Sequence, residues 1–124
     1  MKAELIQGNP KAKALWDYYQ GKLADAGKWR DEYTAHLDVL IDAVVNWLEA
    51  SEQLIATGNK HLLVSPKGNT YTNPLLNIKA HYAGVIKSYG AAFGLNPLAD
   101  ARLKVLPMEA MFPLLSMMAG VKDL

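Results

Sequence analysis

Asp38 and Asp42 stand four residues apart, with Glu49 and Glu52 further along the same stretch. Paired carboxylates of this kind can hold a divalent metal or move protons for a substrate. Di-metal helical bundles, however, use Glu-x-x-His pairs aimed into the bundle, and no histidine follows these acids at that spacing. The four acids also fall opposite the apolar positions of their segment, so a solvated acidic face is expected. His36 lies beside Asp38, as a base would lie beside its orienting acid, but residues two apart on a helix do not face each other. His36, His61 and His81 are far apart, and none has a His or Glu at metal-ligand spacing. Cysteine is absent, which excludes disulfides, thiolate zinc sites and cysteine nucleophiles. Gly84, Gly90 and Gly94 sit in or at the end of an expected helix rather than after a strand, so they form no phosphate-cradling loop. The expectation is a chain with no catalytic residue, no metal and no cofactor.

Lysine and arginine offer a different chemistry, the binding of phosphate. An N-terminal group comprises Lys2, Lys11, Lys13, Lys22, Lys28 and Arg30. Lys11 and Lys22 are eleven residues apart, three helical turns, and so share one face of a helix. Lys60 with Lys67, and Arg102 with Lys104, make two further candidate patches. The net charge of +1 hides a segmentation by sign. Residues 1–30 are net basic, residues 31–58 hold six acids and no base, and residues 59–124 are net basic again. Such a pattern serves a polyanion or pairs basic with acidic surfaces between copies, and the plain alternative is a set of solvated faces. No complete helix-turn-helix with a readable recognition helix is visible. Any nucleic-acid contact is therefore expected to go to backbone and shape rather than base edges.

The elements that must carry these groups are largely helical. At 124 residues, with half of them hydrophobic, the chain fits one domain with a modest core. Asn9-Pro10, Asn73-Pro74 and Asn96-Pro97 each read as a helix start. Asparagine is a good N-cap, and proline at the first helical position loses no needed hydrogen bond. The first helix is expected from about Pro10 to Ala26, with Leu15, Trp16, Tyr18, Tyr19 and Leu23 at helical spacing. A long helix follows from about Arg30 to Thr57. Its seam, Tyr33, Leu37, Leu40, Val44, Trp47 and Leu54, repeats at heptad spacing and suits a core or an assembly of chains. Two short β-favouring runs around Pro66-Lys67-Gly68 predict a hairpin over about 61–72, which must lean on something because a lone hairpin is marginal in water. A second long helix, about 74–93, presents Ile78, Tyr82, Val85 and Tyr89 along its seam, and a short helix opens at Pro97. The two long helices are expected to return antiparallel on each other. The fold class is thus mainly α: an antiparallel long-helix hairpin with a β-hairpin insertion, an N-terminal helix and short C-terminal helices.

Residues 1–106 are expected to form one helical domain containing the oligomerisation core, and 107–124 an apolar tail rich in methionine. That tail suits core packing or a protein partner. It is too short to span a bilayer, no other segment is long and apolar enough, and Met1 to Pro10 holds no apolar run of a secretory signal. An intracellular soluble protein without membrane contact is the expectation.

The order of these features resembles the small subunit of phage terminase, in the branch typical of many siphoviruses and prophages. The resemblance covers about residues 14–106. It rests on Leu15-Trp16, Leu23 and the Gly27-Lys28-Trp29 turn, then Ser65-Pro66-Lys67-Gly68 before Asn73-Pro74. It closes on Phe93-Gly94-Leu95-Asn96-Pro97 followed by Ala101-Arg102-Leu103. Family members commonly show Gly-Leu-x-Pro and then Arg residues a turn later. This sequence departs in carrying Asp100 where an Arg often stands, leaving Arg102 alone, and in having only a short arm before its first helix. The resemblance implies a non-catalytic, ring-forming homo-oligomer that binds viral double-stranded DNA. It implies a second partner, the large terminase subunit with its ATPase and nuclease, and a place in the cytoplasm of the bacterial host. The alternative is a helical adaptor, such as a phage head–tail connector, that does not bind DNA.

Overall fold

Each of the three Asn-Pro pairs opens a helix in the computed structural model, which describes residues 9–108 and 110. The Asn9 side-chain oxygen accepts from the backbone N–H of Lys11 and Ala12 and starts α1 (Pro10–Asp25). Asn73 accepts from Leu75 and starts α3 (Pro74–Phe93), and Asn96 accepts from Ala99 and starts α4 (Pro97–Arg102). Between α1 and α3 lies α2 (Thr34–Ala56), entered through a single 3-10 turn at Asp31–Tyr33. Left-handed residues close the helices: Gly94 ends α3, and Gly58 with Asn59 ends α2.

The long helices run antiparallel, as expected for two long helices joined through a short hairpin. Tyr33 meets Phe93, His36 meets Tyr89, and Trp47 meets Lys79, so the numbers fall on one helix as they rise on the other. Helix α2 is the central element. Leu37, Leu40, Ile41, Val44, Val45 and Leu48 are buried along it because α1 covers one side and α3 another. From α1 come Ala12, Leu15, Trp16 and Tyr19, and from beyond α3 come Leu98, Ala101, Leu106 and Ala110. Ala110 joins the same core as Leu106, although it stands on the far side of the tail boundary expected after residue 106. Residues 111–124, which make up the rest of that tail, lie outside the described residues.

Burial of two sides of α2 corrects the expected acidic face. Asp38 is only 1% exposed, and its carboxyl accepts a 2.8 Å hydrogen bond from Trp16 Nε1. A single wide stripe on α2 would have left it in water; α1 lying across that side encloses it. Asp42, Glu49 and Glu52 are half-buried rather than free.

The β-hairpin pairs β1 (Leu62–Val64) with β2 (Thr70–Thr72), antiparallel, in the register Leu62↔Thr72, Leu63↔Tyr71 and Val64↔Thr70. Among the described residues Leu62, Val64 and Tyr71 of the hairpin are all exposed, so the expected support is not seen there. The hairpin is tied at its base. Asn73 donates from its backbone N–H to His61 O and from its side chain to Lys60 O, both at 2.9 Å.

Where α3 meets α4 the backbones nearly touch. A Cβ on Gly90 would lie 2.9 Å from Leu95 O and 3.2 Å from Pro97 Cδ. The oxygen belongs to the backbone and cannot swing aside. Gly90→Ala is therefore expected to cost about 1–3 kcal/mol, as overpacking does, read as a lower urea midpoint at unchanged slope. An unchanged midpoint would show that the end of α3 shifts freely.

Candidate nucleic-acid interface

The basic side chains expected to meet phosphate fall into two groups once their neighbours are known. Two of the N-terminal group, Lys11 and Lys22, already have contacts inside the chain. Lys11 Nζ donates to Glu52 Oε1 at 3.0 Å, tying the start of α1 to the end of α2. Lys22 Nζ sits 5.1 Å above the Tyr18 ring centroid. Lys28 Nζ lies 3.8 Å from where a Cβ would stand on Gly94, at the C-terminal end of α3, where helix carbonyls favour a cation. Arg30 is 3.5 Å from Glu32, with both side chains largely in water, a contact worth little. Lys13 is exposed, and Lys2 lies outside the described residues. Lys11 and Lys22 both project from α1, but their tips serve Glu52 and Tyr18.

The other group lies on the hairpin, α3 and the end of α4. Lys60 and Lys67 are exposed at opposite ends of the hairpin, one at its base and one in its turn. Arg102 and Lys104 are exposed where α4 closes, and Lys104 carries the left-handed backbone that ends it. On α3 the structure adds Lys79, which residue spacing did not single out. Its ammonium lies 5.0 Å from the Trp47 ring centroid. Burial, and then repulsion from Arg102, hold Lys79 below the ordinary lysine pKa. One sequence signal could have found it: no acid occurs from Gln53 to Ala99. The next acid, Asp100, accepts from the Tyr19 hydroxyl at 2.7 Å and is half-buried there. That buried phenol has its pKa pushed far up, first by burial and then by Asp100.

The candidate seam residues divide in the same way. Leu37, Leu40, Val44 and Leu54 are buried, and Tyr33, Trp47, Tyr82, Val85 and Tyr89 are half-buried. Ile78 is 42% exposed near the start of α3, so it is not part of the core of a single chain. A cleft of about 320 Å³ opens between Leu23, Lys28, Tyr33, His36, Tyr89 and Phe93. The acid nearest its histidine in sequence, Asp38, turns to Trp16 instead. Among the described residues no group of three or more His, Asp or Glu could hold a metal.

Comparison with protein families identifies the arrangement. The family model of the phage terminase small subunit matches residues 12–110, from the first turn of α1 to the last described residue. The chain belongs to the phage terminase small-subunit family. Neither the curated proteins nor the solved structures hold a match to it. Terminase small subunits are generally non-catalytic. A role in phage genome packaging follows from membership in this family. Among the described residues no helix of this terminase subunit is long and apolar enough to cross a membrane.

Proposed function

We propose that the chain is the DNA-binding, ring-forming small subunit of a phage packaging motor, acting in the cytoplasm of the bacterial host. It brings the large ATPase–nuclease subunit to viral double-stranded DNA and has no catalytic centre of its own. The observation that carries this reading is the family match across almost the whole described fold. Two structural features support it. The chain exposes one apolar patch on the hairpin, at Leu62, Val64 and Tyr71, and another after α4, at Leu103, Val105 and Met108. A head-to-tail ring interface uses two different patches of one chain in this way. Lys60 and Lys67 on the hairpin and Lys87 on α3 are exposed and open to a polyanion. Residues 107–124 are proposed to dock on the large subunit or to close contacts between copies.

Light scattering with and without a mixed-sequence duplex tests the reading. The expected result is one discrete mass of several copies that takes up DNA, with affinity falling steeply as salt rises. A monomer or dimer that ignores DNA at low salt would overturn it and favour a helical adaptor without DNA contact.

A further inference from the structure

The bonds at the two ends of the hairpin decide which backbone groups face inward. At the base the Asn73 N–H donates to His61 O at 2.9 Å, and at the turn the Ser65 N–H donates to Asn69 O at 2.8 Å. Bonded and non-bonded pairs alternate in an antiparallel ladder. The register Leu63↔Tyr71 lies midway between the two ends, so it is the bonded pair of the strands themselves. The N–H and C=O of Leu62 and Val64 therefore point out of the β1 edge, and those of Thr70 and Thr72 out of the β2 edge. Among the described residues none of these groups has a backbone partner, and no third strand joins the sheet.

The side chains of these four residues are as open as their backbone. Alternate residues share a face, and on this one Leu62 is 62% and Val64 67% exposed, with Thr70 and Thr72 exposed beside them. Proteins blunt a free edge with charges, prolines or bulges. Residues 62–64 and 70–72 hold no charge, no proline and no glycine. In a lone chain such a two-stranded sheet is marginal, and what completes it is another extended backbone.

A second copy of the chain matches both edges at once. The rotation that relates neighbours in a ring carries β1 to a strand of nearly the same direction, so β2 of one copy meets β1 of the next antiparallel. Both edges present donors and acceptors at every second residue, and no strand charge opposes the approach. The joined edges are unlike, so each copy keeps one edge for a further neighbour and pairing continues until a ring closes.

We infer that the hairpins of neighbouring copies pair edge to edge, β2 of one against β1 of the next, in one continuous sheet with Leu62, Val64, Thr70 and Thr72 along one face. The inference rests on the ring-forming reading above and adds a backbone contact to the patches named there.

Proline tests the two edges separately, because at these positions it removes an outward N–H and spares the bonds inside the hairpin. Val64→Pro blocks the β1 edge and Thr70→Pro the β2 edge. Native mass is followed by light scattering down a dilution series of the full chain, and circular dichroism melting checks that the helices stay folded. Each proline variant should dissociate at about tenfold higher concentration than the parent, the equivalent of one lost hydrogen bond. Val64→Ile and Thr70→Val keep the N–H and should dissociate where the parent does. Mixing V64P with T70P should give a dimer of one copy of each where neither alone associates, because an intact β2 edge then meets an intact β1 edge. Parent-like assembly by both proline variants would overturn the inference while leaving ring formation intact, and would leave the edges to a strand of another protein. Weakening by only one of the two would overturn it by showing that like edges pair about a two-fold axis. Weakening by both without a mixed dimer would overturn it as well. A monomeric parent would remove both this inference and the ring-forming reading beneath it.

Discussion

Trp16→Ala is expected to lower the stability of the chain by about 3–5 kcal/mol, the usual cost of deleting a buried tryptophan. For a domain of this size that is a large part of the whole, because native stability totals only about 5–15 kcal/mol. Two effects combine at this position. The indole fills the junction between α1 and α2 and meets Trp29 edge-on, with ring centroids 5.6 Å apart. Its Nε1 donor also supplies a hydrogen bond to the enclosed carboxyl of Asp38. Trp16→Phe separates the two effects. It keeps most of the ring volume and removes the donor, so it should cost about 1–3 kcal/mol, the penalty for a buried polar group deprived of a partner. Urea denaturation of both variants gives the comparison. A phenylalanine variant as stable as the parent would show that the bond to Asp38 adds nothing and that packing alone holds α1 in place.

Ile86→Ala should be nearly as damaging, at about 2–5 kcal/mol. Helix α3 spans twenty residues, yet Ile86 and Gly90 are its buried positions. Ile86 is therefore the main apolar anchor of a long helix whose other large side chains are half in water. Ile78→Ala, two turns earlier and exposed, should stay within about 0.5 kcal/mol in the isolated chain, as surface substitutions do. The contrast is read from urea midpoints. Similar destabilisation at both positions would mean that the outer side of α3 is covered in solution, as a neighbouring copy would cover it.

The helix starts were legible because their chemistry is local. Asn9, Asn73 and Asn96 cap the helices that their own following prolines begin, within three residues of chain. The hairpin was legible for a similar reason, since Pro66-Lys67-Gly68 marks the turn between the strands. Pairings across long stretches of sequence were not. Periodicity describes one helix at a time and puts Asp38 in solvent, whereas the group that encloses it lies twenty-two residues away on α1. The same limit applies to the lysines. Composition shows how many there are, but only the packing of α1 against α2 shows that Lys11 is occupied by Glu52. Lys79 is invisible to spacing because its setting is made by Trp47, thirty-two residues earlier on a different helix. Family resemblance rests on motif order and was legible at once, since it needs no knowledge of which residues meet in space.

The attachment of the hairpin has a consequence for how the molecule opens. Its strands are three residues long and exposed, and Asn73 joins its base to the first turn of α3. Among the described residues the hairpin's Leu62, Val64 and Tyr71 lie exposed, whereas the helices share a deep core. The hairpin can therefore unzip from Leu62 to Thr72 while the helices remain closed, and its amides exchange with solvent long before those of α2. Asn73 marks the edge of that separate opening unit. The loop can melt up to this residue, but the cap of α3 stays in place.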